Sequence, residues 1–383
     1  MKEIEPIAKP FLSLCMIVKN EKENLARCLA SAKPYVDEMI VVDTGSSDGT
    51  PEIALNYGAK VSYFEWCDDF AAARNYSISQ ASGDWILVLD ADEELVVETE
   101  NWQDQLAANP QVTIYGMVLL HANIKNLKGG FHGRLFRNLP GLKYISRFHE
   151  QINYPNTKIT VSQLEGVKIL HYGNISPDKV RQKLINRDIP ILERMGEEEG
   201  FSLWHLDCLA SKYNRIEQTE KAEACYAEIL DKLSPHLMDG NPPEDLFWIA
   251  TLLHLLGTQY FENKDYETAR LLCQRGLEWC PNYPPLNHLA GEILKDLGFP
   301  LGAIAYFENC IKLGQNEDYY IGEPFEISFL TTYPAYNIGC TYLEMKRPQD
   351  ALVAFEMALA FDSDFAPAQE RINEIKQSFA TDT

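Results

Sequence analysis

The hydrophobic pattern of this 383-residue chain changes period once, and that change limits what it can fold into. Up to about Leu95, short apolar runs alternate with segments of helical spacing: FLSLCMIV (11–18), KENLARCLASA (22–32), EMIVVD (38–43), DGTPEIALNYG (48–58), KVSYFEW (60–66), a helix near DDFAAARNYSISQA, then WILVLD (85–90). Continuous Val/Ile/Leu runs separated by helices read as buried parallel strands of an α/β sheet. TIYGMVLLHA and GGFHGRLFRN read as further strands, and the pattern is less regular through Tyr172. From about Ser176 the spacing becomes helical, and Gly257 and Ala269 recur 34 residues on as Gly291 and Ala303. Gly339, Tyr342, Ala351, Phe355 and Ala358 give a further copy, 48 residues after Gly291, and a weaker frame runs through Tyr213, Ala222 and Tyr226. A period near 34 places small residues where paired helices approach and aromatics in the gaps, which chance spacing in a helical bundle does not reproduce three times. The change of period sets an α/β domain over 1–175, a helical linker over 176–200 and a repeat domain over 201–383.

Composition removes several classes. A net charge of −22 argues against a nucleic-acid binder, because phosphate backbones demand a basic footprint. Residues 101–150 run the other way, with 6 basic and 2 acidic side chains. No apolar run reaches the roughly 18 residues that a membrane span needs. The N-terminal MKEIEPIAKPFLSLCMIVKNE lacks a basic n-region and a small-residue cleavage site, so it does not read as a signal peptide. Nine scattered cysteines without a CxxC pair fit buried thiols in a reducing, cytoplasmic setting.

Two acidic motifs end strands, at Asp43 and at Asp90-Ala91-Asp92. In an open parallel sheet, ligands bind beyond the carboxyl ends of strands, so both motifs can line one crevice. Asp90 and Asp92 are hard oxygen donors suited to Mg²⁺ or Mn²⁺; the competing reading is a helix N-terminus that favours acids. Asp43-Thr44-Gly45-Ser46-Ser47 spells the signature of an aspartic protease, but that chemistry needs a second arm and the chain has none. A dehalogenase-type phosphatase carries its acidic pair after the first strand, and a nucleotidyltransferase needs a Gly-rich loop there, which MIVKNEKEN lacks. Asp43 reads instead as a carboxylate at a strand-to-helix bend, able to accept a base N–H or ribose hydroxyls.

MIVKNE (16–21), VVDTGSSDGT (41–50), ARN (73–75) and LDADEEL (89–95), in that order, resemble the family 2 inverting glycosyltransferases of the GT-A fold over about residues 12–175. With RLFRN, HE and LHYG coming after them, the chain resembles a bacterial subgroup carrying tetratricopeptide repeats (TPRs), which includes lipooligosaccharide β-1,4-glucosyltransferase-like enzymes and enzymes that glycosylate peptides. The resemblance implies a Rossmann-like, mostly parallel GT-A domain followed by an all-α TPR array. It implies a metal-dependent hexosyl transfer from a nucleotide-sugar, with UDP as the expected nucleotide and Mn²⁺ or Mg²⁺ as the ion. Carried over by motif, Val18, Asn20, Glu21, Asp43, Ser46 and Arg74 surround the nucleotide, Asp90 and Asp92 form the DxD pair, and Arg134 meets the diphosphate. Arg137 and Arg147 are further diphosphate candidates or solvated strand ends. His171 is a later metal ligand or a structural histidine. The usual loop acid for the base is missing, so Glu150 is the candidate base, with His149 as orienter or alternative base; the other reading of Glu150 is a strand residue paired with Arg147. Trp66, Trp85 and Phe131 are sugar-stacking candidates, with buried core the stronger reading for them. The repeats imply a protein or peptide acceptor, or self-association. The reading from another class is a TPR scaffold that binds a nucleotide-sugar without turning it over.

Overall fold

A computed structural model of the chain describes residues 11–122, 131–155, 158–173, 176–243, 248–320, 323 and 325–381. Residues 1–10 of the stretch weighed as a signal peptide, and the side chain of Phe131, lie outside the described residues. The chain divides into two compact units, one of residues 1–125 with 129–223 and one of 126–128 with 224–383.

The first unit opens with β1 (Leu12–Val18), α1 (Leu25–Ala32), β2 (Glu38–Asp43), α2 (Thr50–Asn56), β3 (Lys60–Tyr63), α3 (Phe70–Ile78), β4 (Trp85–Val88) and β5 (Glu93–Val97). It continues with α4 (Asp104–Ala108), β6 (Ile114–His121), β7 (Phe131–Arg137), β8 (Lys143–Ile145), β9 (Gln151–Asn153) and β10 (Val161–His171). Eight strands form one sheet in the order β3-β2-β1-β4-β7-β6-β10-β5, and β8 pairs with β9 in a small ribbon. β3, β2, β1 and β4 run parallel, as do β6 and β10; β7 is antiparallel to both neighbours, and β5 is antiparallel to β10. The sheet is therefore mixed, with its parallel half at the N-terminus. β1 and β4 are continuous apolar runs because both sheet faces are covered. Leu12, Leu14, Met16, Trp85 and Leu87 pack on one face, and Cys15, Ile86, Val88 and Phe136 on the other. Trp85 is core, 1% exposed, and Trp66 is half-buried.

Helices α5 (Pro177–Lys183), α6 (Ile189–Glu199) and α7 (Leu203–Arg215) also belong to the first unit, although their sequence is as helical as that of the repeats. A single π-helical turn, Leu184–Asp188, joins α5 to α6.

Beyond α8 (Thr219–Asp239), the second unit is built of helix pairs: α9 (Ile249–Glu262) with α10 (Tyr266–Trp279), α11 (Pro284–Asp296) with α12 (Pro300–Asn316), and α13 (Thr332–Glu344) with α14 (Pro348–Phe361), closed by α15 (Ala366–Thr381). The period seen in the sequence has a steric cause. A Cβ on Gly291 would stand 2.5 Å from the ring of Phe307, and one on Gly339 2.5 Å from the ring of Phe355. Ala269, Ala303 and Ala351 are all fully buried. In the first pair Cys273 stands where the later pairs have Phe307 and Phe355, and Leu289 from the next pair fills the space over Gly257 instead. The extra residues before α13 fold back onto the array. Glu323, 3% exposed, accepts the Ala250 and Thr251 N–H groups at the start of α9, and Phe329 packs edge-on against His254 and His288.

Candidate functional site

The carboxyl ends of β1, β2 and β4 carry the site, where strand order reverses between neighbours of β1. Asp43, the last residue of β2, is 2% exposed. Its Oδ2 accepts the N–H groups of Gly45 (3.0 Å) and Ser46 (2.9 Å), a turn that Gly45 permits at φ 104°. Its Oδ1 is buried without a hydrogen-bond partner among the described residues. The loop after β1 is laced to the same turn. Asn20 donates its N–H to Ser46 Oγ and accepts the Ser47 N–H on Oδ1, both at 2.8 Å, and the Glu21 N–H is held by Thr50 Oγ1 at 2.8 Å. The Val18 carbonyl accepts the Thr44 N–H. Burial raises the Glu21 carboxyl above its usual pKa, against the pull of its hydrogen bond from Asn24.

The acids after β4 lead into strand β5, so the helix-cap reading of DADEEL does not apply. Asp90 places Oδ1 on Arg74 (2.8 Å) and Oδ2 on Arg134 (2.9 Å). Burial alone would raise its pKa, but Arg134 and Arg74 outweigh that and hold it well below the carboxylate range. Arg74 projects from α3, which Asp69 caps through the Ala72 N–H, and its Nε donates to Glu150. Glu150 thus joins Asp90 through one buried guanidinium, while Arg147 pairs with Glu198 at 2.6 Å. Arg137 covers Trp85 and donates to the Val112 carbonyl, on the core side of the sheet.

Asp92 leaves this network and meets His171 at the end of β10, Oδ2 to Nε2 at 3.2 Å, and that hydrogen bond raises the His171 pKa. Sheet register brings in a residue that strand reading alone did not single out. His121 ends β6 directly beside His171, with the two Nδ1 atoms 3.1 Å apart. Glu93, opposite His171 on β5, is also new: 1% exposed, it binds Arg134 at 2.6 Å, and burial followed by the Asp90 charge pushes it up to about 7. A shared register position was the signal for His121, visible only once β6 and β10 are paired.

His149 adopts φ 51°, with its ring against Phe148 (4.8 Å between centroids) and Trp204 of α7 (5.4 Å). Desolvation by these walls, then the Lys212 charge, lowers its pKa. Among the described residues no group of three or more His, Cys, Asp and Glu side chains is arranged to hold a metal ion by itself.

A mixed sheet with a parallel half, and acids at its carboxyl edge tied to Arg74 and Arg134, is an open α/β arrangement of the class in which ligands bind beyond the carboxyl ends of the strands. Residues 13–118 match Glycosyl transferase family 2. A TPR repeat-containing protein of Synechococcus elongatus is 40% identical over 181 residues, 45% of this chain and 44% of that protein. The prophage-derived glycosyltransferase SunS of Bacillus subtilis is 29% identical over 195 residues, 49% of this chain and 45% of that one. The chain thus spans under half the length of these curated relatives. Among solved structures, YrrB, a TPR protein with an unusual peptide-binding site, superposes with a TM-score of 0.36 at 17% identity, covering 49% of this chain and 83% of its own. The family match and the relatives support glycosyl transfer, and the helix pairs of the second unit are of the tetratricopeptide type.

Proposed function

We propose that the sheet unit is a metal-dependent, inverting glycosyltransferase that moves a hexose from a UDP-sugar to a hydroxyl of a protein, peptide or glycan acceptor. The observation that carries this reading is the continuous chain Glu150–Arg74–Asp90–Arg134, set beside the Asp92–His171 pair at one edge of the sheet.

The residues fit both a nucleotide and an ion. The unpartnered Oδ1 of Asp43 is a buried acceptor that a base N–H satisfies. Asn20, Glu21, Ser46 and the Val18 backbone make the braced wall beside it. Asp92 Oδ2 and His171 Nε2 lie 3.2 Å apart. Neighbouring ligands about 2.1 Å from an octahedral ion lie about 3 Å from each other, so this pair suits Mn²⁺ or Mg²⁺ with the remaining positions left for water and phosphate oxygens. Such an ion supplies neutralisation of the charge that builds on the departing diphosphate. Asp90, with both oxygens held by arginines, sets the position of Arg74 and Arg134.

The protein's own step is proton removal. Glu150 takes the acceptor hydroxyl proton as that oxygen attacks the anomeric carbon from the face opposite the leaving group. The carbon–oxygen bond to the β-phosphate breaks, its electron pair leaves on UDP, and the anomeric configuration inverts. Arg74 fixes Glu150 relative to Asp90, and the orienting role falls to His149, the residue before Glu150 in the sequence.

The test is nucleotide release by the full chain with Mn²⁺ and each of UDP-glucose, UDP-GlcNAc, UDP-galactose and GDP-mannose. One UDP-sugar is expected to yield UDP, with loss of release on adding a chelator. Glu150→Gln is expected to lower turnover by about 10²–10⁴-fold while UDP still binds. Tight UDP-sugar binding with no release, even with cell extract as acceptor, establishes the scaffold reading instead.

A further inference from the structure

We propose that Glu93 is a positioning residue for the Asp92–His171 pair: it closes the turn that carries Asp92 and anchors that turn to Arg134. This rests on the metal reading above. Glu93 occupies a core position of β5, where buried and half-buried residues alternate from Glu93 to Leu95. At 1% exposed, its carboxyl stands where the strand pattern calls for an apolar side chain. A carboxylate taken that far out of water costs on the order of several kcal/mol unless partners replace the water, so the partners it takes show what it serves.

Both of its oxygens go to the acid motif. Oε2 accepts the Asp90 N–H at 2.8 Å, and Oε1 accepts from Arg134 Nη2 at 2.6 Å. The same Nη2 donates to Asp90 Oδ2 at 2.9 Å, so one nitrogen bridges the two carboxylates. The Glu93 N–H in turn donates to the Asp90 carbonyl at 3.0 Å. That backbone bond defines a tight turn over 90–93 with Ala91 and Asp92 at its centre. The turn is thus closed twice, through the backbone and through the Glu93 side chain.

The other side of the turn meets β10. Glu93 lies opposite His171 in the strand register, and the Asp92 carbonyl accepts the Tyr172 N–H at 2.9 Å. Asp92 Oδ2 then meets His171 Nε2 at 3.2 Å. A small shift at either end of so short a turn re-aims the Asp92 carboxylate, and residues that hold a ligand in place matter nearly as much as the ligand. Tyr172 holds one end, and Glu93 holds the other through Asp90 and Arg134.

Two plainer roles make different predictions. If only the negative charge of Glu93 counts, any carboxylate at this position serves. If Glu93 serves only the fold, its loss lowers stability and leaves ion affinity alone. Positioning needs charge and length together, because one side chain must reach Arg134 and the Asp90 N–H at once.

The experiment is EPR titration of the full chain with Mn²⁺, with and without UDP, alongside urea midpoints on the same samples. Glu93→Asp keeps the charge and shortens the side chain by one methylene. Glu93→Leu/Arg134→Met removes both members of the pair, which leaves net charge unchanged and spares the chain a lone buried charge. Both variants are expected to bind Mn²⁺ about 10-fold to 100-fold more weakly than the native chain while still unfolding cooperatively. Native Mn²⁺ affinity in Glu93→Asp reduces the role to charge and overturns the proposal. Native Mn²⁺ affinity in both variants, or loss of cooperative unfolding in both, makes the pair a device of the fold and overturns it as well. A native chain with no saturable Mn²⁺ site even with UDP present overturns the metal reading, and the proposal with it; unchanged variants of a chain that does bind Mn²⁺ overturn the proposal alone.

Discussion

At the residue scale, Asp43 shows how a short pattern is decided by its surroundings. The DTGSS run looks like half of a shared-proton pair, yet among the described residues no second carboxyl group is hydrogen-bonded to Asp43. One oxygen closes a turn and the other is buried without a partner among the same residues. A buried acceptor without a donor costs about 1–3 kcal/mol, which a ligand N–H recovers on binding. Asp43→Ala is therefore expected to weaken UDP about tenfold or more while Mn²⁺ affinity, measured by EPR titration, changes by less than about threefold. Equal losses for both ligands would place Asp43 at the metal instead. His121 supports a second prediction. For His171 to offer Nε2 to an ion, its proton must sit on Nδ1, and His121 Nδ1 at 3.1 Å is the acceptor that holds it there. His121→Ala is expected to lower Mn²⁺ affinity about 10-fold to 100-fold, and His121→Asn, whose amide oxygen can accept the same proton, to restore part of it. A variant with native Mn²⁺ affinity removes His121 from that role.

At the scale of elements, the glycines of the repeat make the packing test. Gly291 lies where a Cβ would enter the ring of Phe307, which is fully buried and has no room to retreat. Gly291→Val is expected to destabilise the second unit by about 1–3 kcal/mol, seen as a lower urea midpoint for far-ultraviolet ellipticity. Gly298, with nothing near its Cβ, is the position where crowding is absent, and its φ of 81° makes any loss there a backbone effect. The repeat was legible because its cause is local: a helix pair meets itself one period later, so spacing alone exposes it. β1, β2 and β4 were legible for a similar reason, since a strand covered on both faces leaves an uninterrupted apolar run. β5 was not. Its first residues are acids, and only the pairing of Glu93 with Arg134, 41 residues away, explains how they enter a strand. The site divides along the same line. Asp43, Asp90 and Asp92 announce themselves at strand ends, whereas the Arg74–Glu150 contact spans 76 residues and the His121–His171 contact 50, and no local pattern encodes either. The pairing of Glu150 with Arg147, the alternative to its reading as the base, does not form: the fold gives Arg147 to α6 and Glu150 to α3.

At the scale of the whole molecule, acid acts on the chain in two opposing ways. A net charge of −22 means that lowering pH from neutrality removes like-charge repulsion, which by itself favours the compact state. His254 opposes this within the second unit. Burial first, then the neighbouring His288, pulls its pKa down to about 4, against a smaller opposite pull from Glu292. A histidine whose folded pKa is depressed contributes stability above its unfolded pKa, near 6.5, and that contribution is lost as pH falls toward 4. The full drop across this window is worth up to about 3 kcal/mol, since each unit of pKa is about 1.4 kcal/mol. A bulk melting temperature mixes this loss with the relief of repulsion, so the informative measurement is local. Hydrogen exchange followed by mass spectrometry at pH 7 and pH 5, corrected for intrinsic rates, is expected to show α9, α11 and the segment carrying Phe329 losing protection at the lower pH. These elements contain or touch His254 and His288 directly. His254→Phe, which keeps an aromatic ring against Phe329 but cannot gain a proton, is expected to abolish the pH-dependent part of that loss. If the variant opens at pH 5 as the native chain does, the acid sensitivity of this unit belongs to another group.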